Sequence, residues 1–409
     1  MNPVTWFGKN PEVIKRFISF LSAIIYLKSP YTAAKLFREK FGLIKGQLPL
    51  PFLPLFLLER ISPWLFFKVL KLGINLFASR FIAGNGVKEV LKVIESYSKK
   101  GYLVNLDILG EAVISETEAT RYQEAYLQLI SEIGPKIPYG SLSISLKGSA
   151  FYSQSNPCAP EYAAEKICEK LRPILITVKK YGGHAYLDAE EYSFREIHFL
   201  IFQKLHKEFG NLIRFVLQAY LRSSRETLNK LIVISVYQDP IWVRLVRGAY
   251  WDFEGYRAEI LGWKYPPVWQ DKQQTDDNYH ELLREGIENG LKIIPATHNI
   301  PSIGFAEYYS QSRIHPVPEY QVLFGIGEEI AKELVKKRIP VRFYMPILFP
   351  KGDLAEAMAY LLRRINESQL SFIMQSSREE LKKSLKIIQS LKNRNKEDNN
   401  VGISERTAY

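Results

Sequence analysis

The chain of 409 residues is 46% apolar and 13% aromatic, enough to bury one large core with a smaller unit beside it, which excludes a disordered or fibrous protein. A formal net charge of +12 suits nucleic acid, an anionic membrane surface or an acidic ligand without choosing among them, and an ordinary basic solvated surface reads the same way. Two cysteines, Cys158 and Cys168, argue against a disulfide framework and fit a reducing compartment; six scattered histidines, with no HExxH and no paired CxxC, give no expectation of a metal site.

At the N-terminus, Lys15 and Arg16 precede "FISFLSAIIYL" (Phe17 to Leu27), a run with the length of a signal-peptide core but too short to span a bilayer as a helix. The long apolar stretch "LPLPFLPLFLLERISPWLFFKVLKLGINLFA" (Leu48 to Ala78) is broken by prolines and by Glu59 and Arg60. Residues 1–100 are therefore expected to form an accessory helical region, either an ordinary cap on the fold or a segment lying on a membrane face, rather than transmembrane spans.

From Gly101 onward, short β-rich runs alternate with helix-length segments. The strand candidates are Tyr102–Leu109, Ser141–Lys147, His184–Ala189, Ile213–Tyr220, Trp242–Gly248, Lys292–Asn299, Tyr320–Gly325 and Pro340–Pro346. Between them lie segments such as "SETEATRYQEAYLQLISEI", "PEYAAEKICEKLRPILITVKKY", "EEYSFREIHFLIFQKLHKEF" and "TDDNYHELLREGIENG". Such alternation implies parallel pairing, and about eight units closing on themselves predict a (β/α)8, TIM-like barrel over residues 101–380, followed by a charged tail over 381–409. The main alternative, an open doubly wound sheet, should carry a glycine-rich nucleotide turn near its first strand, and "DILGEAV" is not one. "GIGEEI" (Gly325 to Ile330) lacks a third glycine, and its two glutamates would repel a pyrophosphate.

In a barrel, side chains at the C-terminal ends of strands face one mouth. Those positions here hold Lys147, Asp188, Gln218 and Tyr220, then Arg247, Tyr250, Trp251 and Asp252, then Thr297, His298 and Asn299, and finally Tyr344. Each has an ordinary structural reading: Asp188 and Glu191 in "DAEE" have the spacing of a capping box, and His298 after an apolar strand is commonly a core histidine. In "AYLLRRINE", Tyr360, Arg363, Arg364 and Glu367 share one helix face, as on any amphipathic helix, yet paired arginines near a barrel mouth can also grip a carboxylate, with Lys147 adding a third cation. No nucleophile signature, Walker loop or metal cluster appears. The cationic, tyrosine-rich mouth suggests that a bound cofactor carries the difficult step.

The ordered run "RFIAG", "LDILGEA", "LKGSA", "LDAEE", "VLQAY", "VRLVRGAYWD", "ATHN", "LFGIGE" and "AYLLRR", from about Arg80 to Glu380, resembles the proline dehydrogenase family, in particular the flavin-dependent half of the bifunctional proline utilization A proteins. The resemblance implies a distorted (β/α)8 barrel with noncovalent FAD, oxidation of L-proline to 1-pyrroline-5-carboxylate, and electron transfer to a membrane quinone. It assigns catalytic positions to Asp188 and Arg244, with Arg244 near the flavin N5 edge. Arg363, Arg364 and Lys147 would hold the proline carboxylate, Tyr344 and Leu323 would close on the ring, and Tyr250 would sit beside it. Ala189, Gln218, Arg244, Arg247, Gly248, Ala249, Trp251, Thr297 and His298 would contact FAD.

The chain departs from that pattern in three places. Arg247 stands where lysine is usual, Gly148 follows Lys147 where a larger residue is common, and "PILFPKGDLAEAM" is longer than the usual turn. The expectation is a stand-alone enzyme, peripheral on the cytoplasmic face of the cell membrane, without an aldehyde dehydrogenase half or a DNA-binding arm. A separate 1-pyrroline-5-carboxylate dehydrogenase would take its product, and nucleic acid is not an expected partner. Two rivals stay open: a flavin barrel for another substrate, as in methylenetetrahydrofolate reductases, and a non-catalytic basic protein binding membrane or nucleic acid.

Overall fold

Each of the eight apolar runs becomes a strand in a computed structural model of the chain, which describes residues 11–24, 26–48, 53–110, 113–236, 240–311 and 317–350. The strands are β1 (Leu103–Ile108), β2 (Ser143–Lys147), β3 (His184–Asp188), β4 (Ile213–Gln218), β5 (Trp242–Val246), β6 (Lys292–Pro295), β7 (Tyr320–Leu323) and β8 (Val341–Ile347). All pair in parallel, in the order β6-β5-β4-β3-β2-β1-β8-β7. A single bridge, Ala296 to Gln321, links the ends of that row and nearly closes the barrel. The open-sheet alternative is thereby excluded. Most strands are shorter than the sequence suggests, because their polar ends, such as Thr297 to Asn299, leave the ladder as mouth loops.

The intervening helices start where local chemistry asks them to. Ser115 caps Glu116–Ile133 by accepting the Glu118 N–H at 3.3 Å, and the Glu118 carboxylate accepts the Ile114 N–H at 2.9 Å. Asp271 does the same for Lys272–Glu288 through the Gln273 N–H. Leu129, Ile130, Ile167, Leu171, Ile201 and Leu205 turn one helical stripe each onto the outer face of the strands, forming the main core.

The barrel interior is different. Polar residues recur at every second position: Asn105 and Asp107 on β1, Ser143, Ser145 and Lys147 on β2, Tyr186 and Asp188 on β3, Arg244 on β5, Glu319 just before β7 and Gln321 on it, Arg342 and Tyr344 on β8. Period two places each set on one side of its strand, and the bonds they make across the barrel put that side inside. Val216 and Ile294 supply the main apolar filling there, against Tyr186. A barrel of this type ordinarily fills its interior with branched apolar side chains.

The accessory region is helical, as expected: Pro11–Ile24, Pro30–Phe41, Leu53–Ile61 and Pro63–Ala78 share a core of their own built on Phe20, Phe37, Phe41, Phe56 and Phe66, with ring centroids 4.9 to 5.7 Å apart. Glu59, fully buried, is paired with Arg38 at 2.6 Å. The layer joins the barrel through Ile82, Leu109 and Leu348, beside the C-terminal ends of β1 and β8. The next helix, Val87–Ser98, buries Val90 and Ile94 in the main core, which Ala83 also joins. No described helix is long and apolar enough to cross a membrane.

His198, on the helix Arg195–Phe209, is buried with Nε2 3.0 Å from the carbonyl oxygen of Leu187, the residue before Asp188. Burial pushes this imidazole down to about 4. Because the folded value lies below the unfolded one of about 6.5, its contribution is complete above pH ~6.5 and is lost as pH falls toward 4. Urea unfolding across that window should show a loss of up to about 3 kcal/mol from this group. His198→Gln, which keeps an N–H for Leu187, should remove that part of the acid slope; an unchanged slope would refute the assignment.

Candidate active site

Arg244 lies inside the barrel, with its side chain 3% exposed. Its Nε donates to Gln321 Oε1 at 2.6 Å, and Nη1 donates to Asp188 Oδ1 at 2.7 Å and to Ser145 Oγ at 3.0 Å. The guanidinium carbon stands 3.7 Å from the centre of the Tyr186 ring. Nη2 is buried and has no acceptor among the described residues. Strands β2, β3, β5 and β7 thus converge on one cation, and only the barrel's closure brings them together.

Asp188 uses its second oxygen to accept the Tyr344 hydroxyl at 2.8 Å. It is not the helix cap that the "DAEE" spacing allows, since both its oxygens are engaged inside the barrel and Glu191 instead accepts from Ser193 and pairs with Arg257 at 3.4 Å. Glu190, between them, accepts the backbone N–H and hydroxyl of Ser149, which pins the loop that follows Lys147. Burial pushes the Glu190 carboxyl up against the pull of those two bonds.

Lys147 reaches Asp107 across the neighbouring strand, the two side chains being 15% and 2% exposed. Burial alone would lower the ammonium, but Asp107, Tyr122 and Asp188 outweigh it and the net shift is upward. For Asp107, burial wins and the carboxyl is raised despite Lys147. The pair thus brings one cation close to the mouth with part of its charge answered by Asp107. Gly148 next to it leaves room for Phe194: a Cβ there would lie 2.8 Å from that ring, so a larger residue would displace it.

Below Arg244 the network continues. Gln321 Nε2 donates to Glu319 Oε1 at 2.7 Å and to the Tyr186 hydroxyl at 2.9 Å, and Glu319 is held by Arg342 at 2.7 and 2.9 Å. Burial pushes the Glu319 carboxyl up, yet Arg342 and these bonds overcome it and hold it below the ordinary range. With both its N–H groups engaged by acceptors, the Gln321 amide presents its oxygen to Arg244.

A second cluster occupies the β5–β6 side of the mouth. Arg247 donates through Nε to Asp276 at 2.7 Å, through Nη1 to Thr297 at 2.6 Å and through Nη2 to Ser302 at 2.8 Å. His298 Nε2 accepts the Leu323 N–H at 3.0 Å, tying the loop after β6 to the end of β7. Gly248, at φ +128°, lets its loop run against Tyr220, whose ring would lie 2.3 Å from any Cβ. Ala249 and Tyr250 follow, half-buried, and Trp251 opens the helix Trp251–Ile260 with its indole N–H on the Trp269 carbonyl at 2.7 Å. Ala189 packs beside the interior apolar cluster, and Gln218 is buried at the end of β4. Arg363 and Arg364, together with the rest of "AYLLRRINE", lie outside the described residues.

The structure therefore brings Asp188, Arg244, Tyr344 and Lys147 into one charged group and Arg247, Thr297, His298 and Leu323 into a second. It adds Asp107, Ser145, Glu319, Gln321 and Arg342, which were not picked out as site residues. Their signal was present as polar residues at every second place in otherwise apolar strands.

A parallel eight-stranded barrel with paired charges gathered at its mouth has the architecture of a barrel enzyme. The chain matches the family profile described as proline dehydrogenase over residues 90–375, and it belongs to that family. It is similar to the bifunctional protein PutA of Klebsiella aerogenes, with 29% identity over 326 residues, covering 75% of this chain and 24% of that protein. It is also 29% identical to proline dehydrogenase 1 of Bacillus subtilis over 299 residues, covering 72% of this chain and 88% of that one. Among solved structures, proline utilization A from Bdellovibrio bacteriovorus, inactivated by N-propargylglycine, superposes with a TM-score of 0.80 at 28% identity, over 93% of this chain and 40% of that one. The chain thus spans about a quarter of the bifunctional relatives it matches.

The buried chain of charges should be far more sensitive than the surface ones. Glu319→Ala leaves Arg342 without its carboxylate in the barrel interior and should cost about 3–5 kcal/mol in chemical denaturation. Glu226→Ala, which removes an exposed partner of Lys230 at 2.9 Å, should cost less than about 1 kcal/mol. Equal losses at the two sites would mean that the interior network carries no special weight.

Proposed function

We propose that the chain is an FAD-dependent L-proline dehydrogenase, forming 1-pyrroline-5-carboxylate and passing electrons to a membrane quinone from a peripheral position on the cytoplasmic face. The observation that carries this reading is Arg244: a guanidinium held by Asp188, Ser145 and Gln321 inside a barrel, with its Nη2 amino group buried and without an acceptor among the described residues. A donor in that condition fits a planar, electron-accepting ring that gains negative charge, and Arg247 offers a second cation for a cofactor carrying phosphates.

FAD, when bound, supplies the acceptor for a hydride from the carbon next to the proline ring nitrogen. Around it, Gln218, Ala189, Gly248, Ala249, Trp251, Thr297, His298, Arg244 and Arg247 are the residues we assign to holding it. Arg363 and Arg364 would grip the substrate carboxylate in paired hydrogen bonds. Lys147 would assist, its charge partly answered by Asp107. Tyr344, Leu323 and Tyr250 would close on the ring, and the Tyr344 hydroxyl, fixed on Asp188, cannot swing away as a free phenol could. Asp188 thereby orients both the electrostatic group and the wall of the pocket. A partner dehydrogenase acting on 1-pyrroline-5-carboxylate would consume the product.

An absorption spectrum taken without oxygen tests the reading: flavin bands should bleach with L-proline and not with D-proline, and bound flavin that stays oxidised would reject the substrate assignment. Arg363→Ala should raise the proline KM by about 10- to 100-fold with flavin content nearly intact. Unchanged kinetics would remove Arg363 from the carboxylate anchor.

A further inference from the structure

The helix Pro63–Ala78 is apolar on two sides. Phe66, Phe67 and Ile74 are buried in the accessory core, as the packing of a helical layer requires. Trp64, Leu65, Leu72 and Leu76 are exposed on another face, and Leu57 and Ile61 extend that face onto the preceding helix. Their exposures run from 45% for Leu65 to 72% for Ile61. Spacings of one, five and eight residues from Trp64 put Leu65, Val69 and Leu72 beside it on one stripe. Single exposed apolar side chains are ordinary on any protein, but a contiguous stripe across two successive helices is not.

The charges within the stripe are of one sign. Arg60, Lys68, Lys71 and Arg80 are exposed, and the only carboxylate between residues 53 and 80, Glu59, is buried on Arg38. Lys68 lies over the Trp64 ring at 3.7 Å, with its ammonium on the same exposed face as the indole. Apolar side chains and a tryptophan, interleaved with cations and lacking acids, match the boundary between acyl chains and anionic headgroups. A protein partner would not by itself require that one-sidedness of charge. The layer that carries the stripe is fastened to the barrel through Leu109 and Leu348, which follow β1 and β8 at the mouth end.

We infer that the face formed by Leu57, Ile61, Trp64, Leu65, Leu72 and Leu76 docks on an anionic lipid bilayer, lying in its interface without crossing it. This deepens, and rests on, the reading that electrons leave for a quinone: a quinone dissolves in hydrocarbon, and a layer anchored at the mouth holds the bilayer on the side where the flavin would be reduced. Docking is then a property of residues 53–80, separate from the catalytic side chains.

The test is flotation of the full chain with phosphatidylglycerol–phosphatidylcholine vesicles, alongside the anaerobic bleaching of its flavin by L-proline. The wild-type protein should float, and binding should weaken by roughly fivefold for each of Lys68 and Lys71 changed to alanine. Leu65→Glu with Leu72→Glu should lower partitioning by about tenfold or more while L-proline bleaches the flavin as before. Equal flotation of that double variant, or a wild-type protein that stays in solution while its flavin bleaches, overturns the docking face and leaves the proline reading intact. A wild-type dimer in light scattering that the double variant abolishes, without vesicle binding, overturns it in favour of contact between copies. Flotation lost in the double variant, with flavin that L-proline never bleaches, upholds the docking face and removes the proline reading.

Discussion

A guanidinium sealed inside a β-barrel is the constraint around which the rest of this structure is organised. Taking Arg244 out of water costs several kcal/mol unless each of its N–H groups meets an acceptor, and the interior has to supply those acceptors from strands far apart in the chain. Asp188 and Ser145 answer one edge and Gln321 another, while Tyr186 covers the flat face. Each supporting group brings its own requirement: Gln321 needs Glu319, Glu319 needs Arg342, and Arg342 closes the sequence on the Val104 carbonyl at 2.8 Å. Much of the polar character of the barrel interior traces back to that requirement.

Charge in the interior is arranged as pairs at two depths. Arg342 with Glu319 sits low, close to the starts of the strands, where both groups are nearly inaccessible. Arg244 with Asp188 and Lys147 with Asp107 sit higher, where Asp188 and Lys147 retain some exposure. The lower pair ties the approach to β7 to β8. The upper pairs lie toward the mouth, and among the described residues the Nη2 amino group of Arg244 is left without an acceptor. A site preorganised in this way loses little by reorganising when charge develops beside it.

The helical layer is attached by a small apolar seam at the mouth end and otherwise has its own aromatic core. It can therefore be varied in surface without disturbing the barrel interior. The pair of buried Glu59 with exposed Arg38 links two of its helices, and the next helix presents one apolar face inward and another outward.

Period-two apolar runs separated by amphipathic segments were enough to predict eight parallel strands and a barrel, because hydrophobic alternation and crossover length are local properties. Asp188 and Tyr344 were likewise legible from their place at the ends of apolar runs, whereas Arg244, in the middle of β5, was picked out only by the motif resemblance. The breadth of the interior network was not. Gln321 in "YQVLFG" and Ser145 in "SISLK" look like unremarkable strand residues, and nothing local says that one faces Arg244 from β7 and the other from β2. The "DAEE" spacing was equally compatible with a helix cap, and the choice between cap and ion pair depended on what stood across the barrel. The residue types and their period along each strand were set by the sequence alone; which of them meet was decided by closure of the barrel, since burial turns a cation at one strand into a demand on three others.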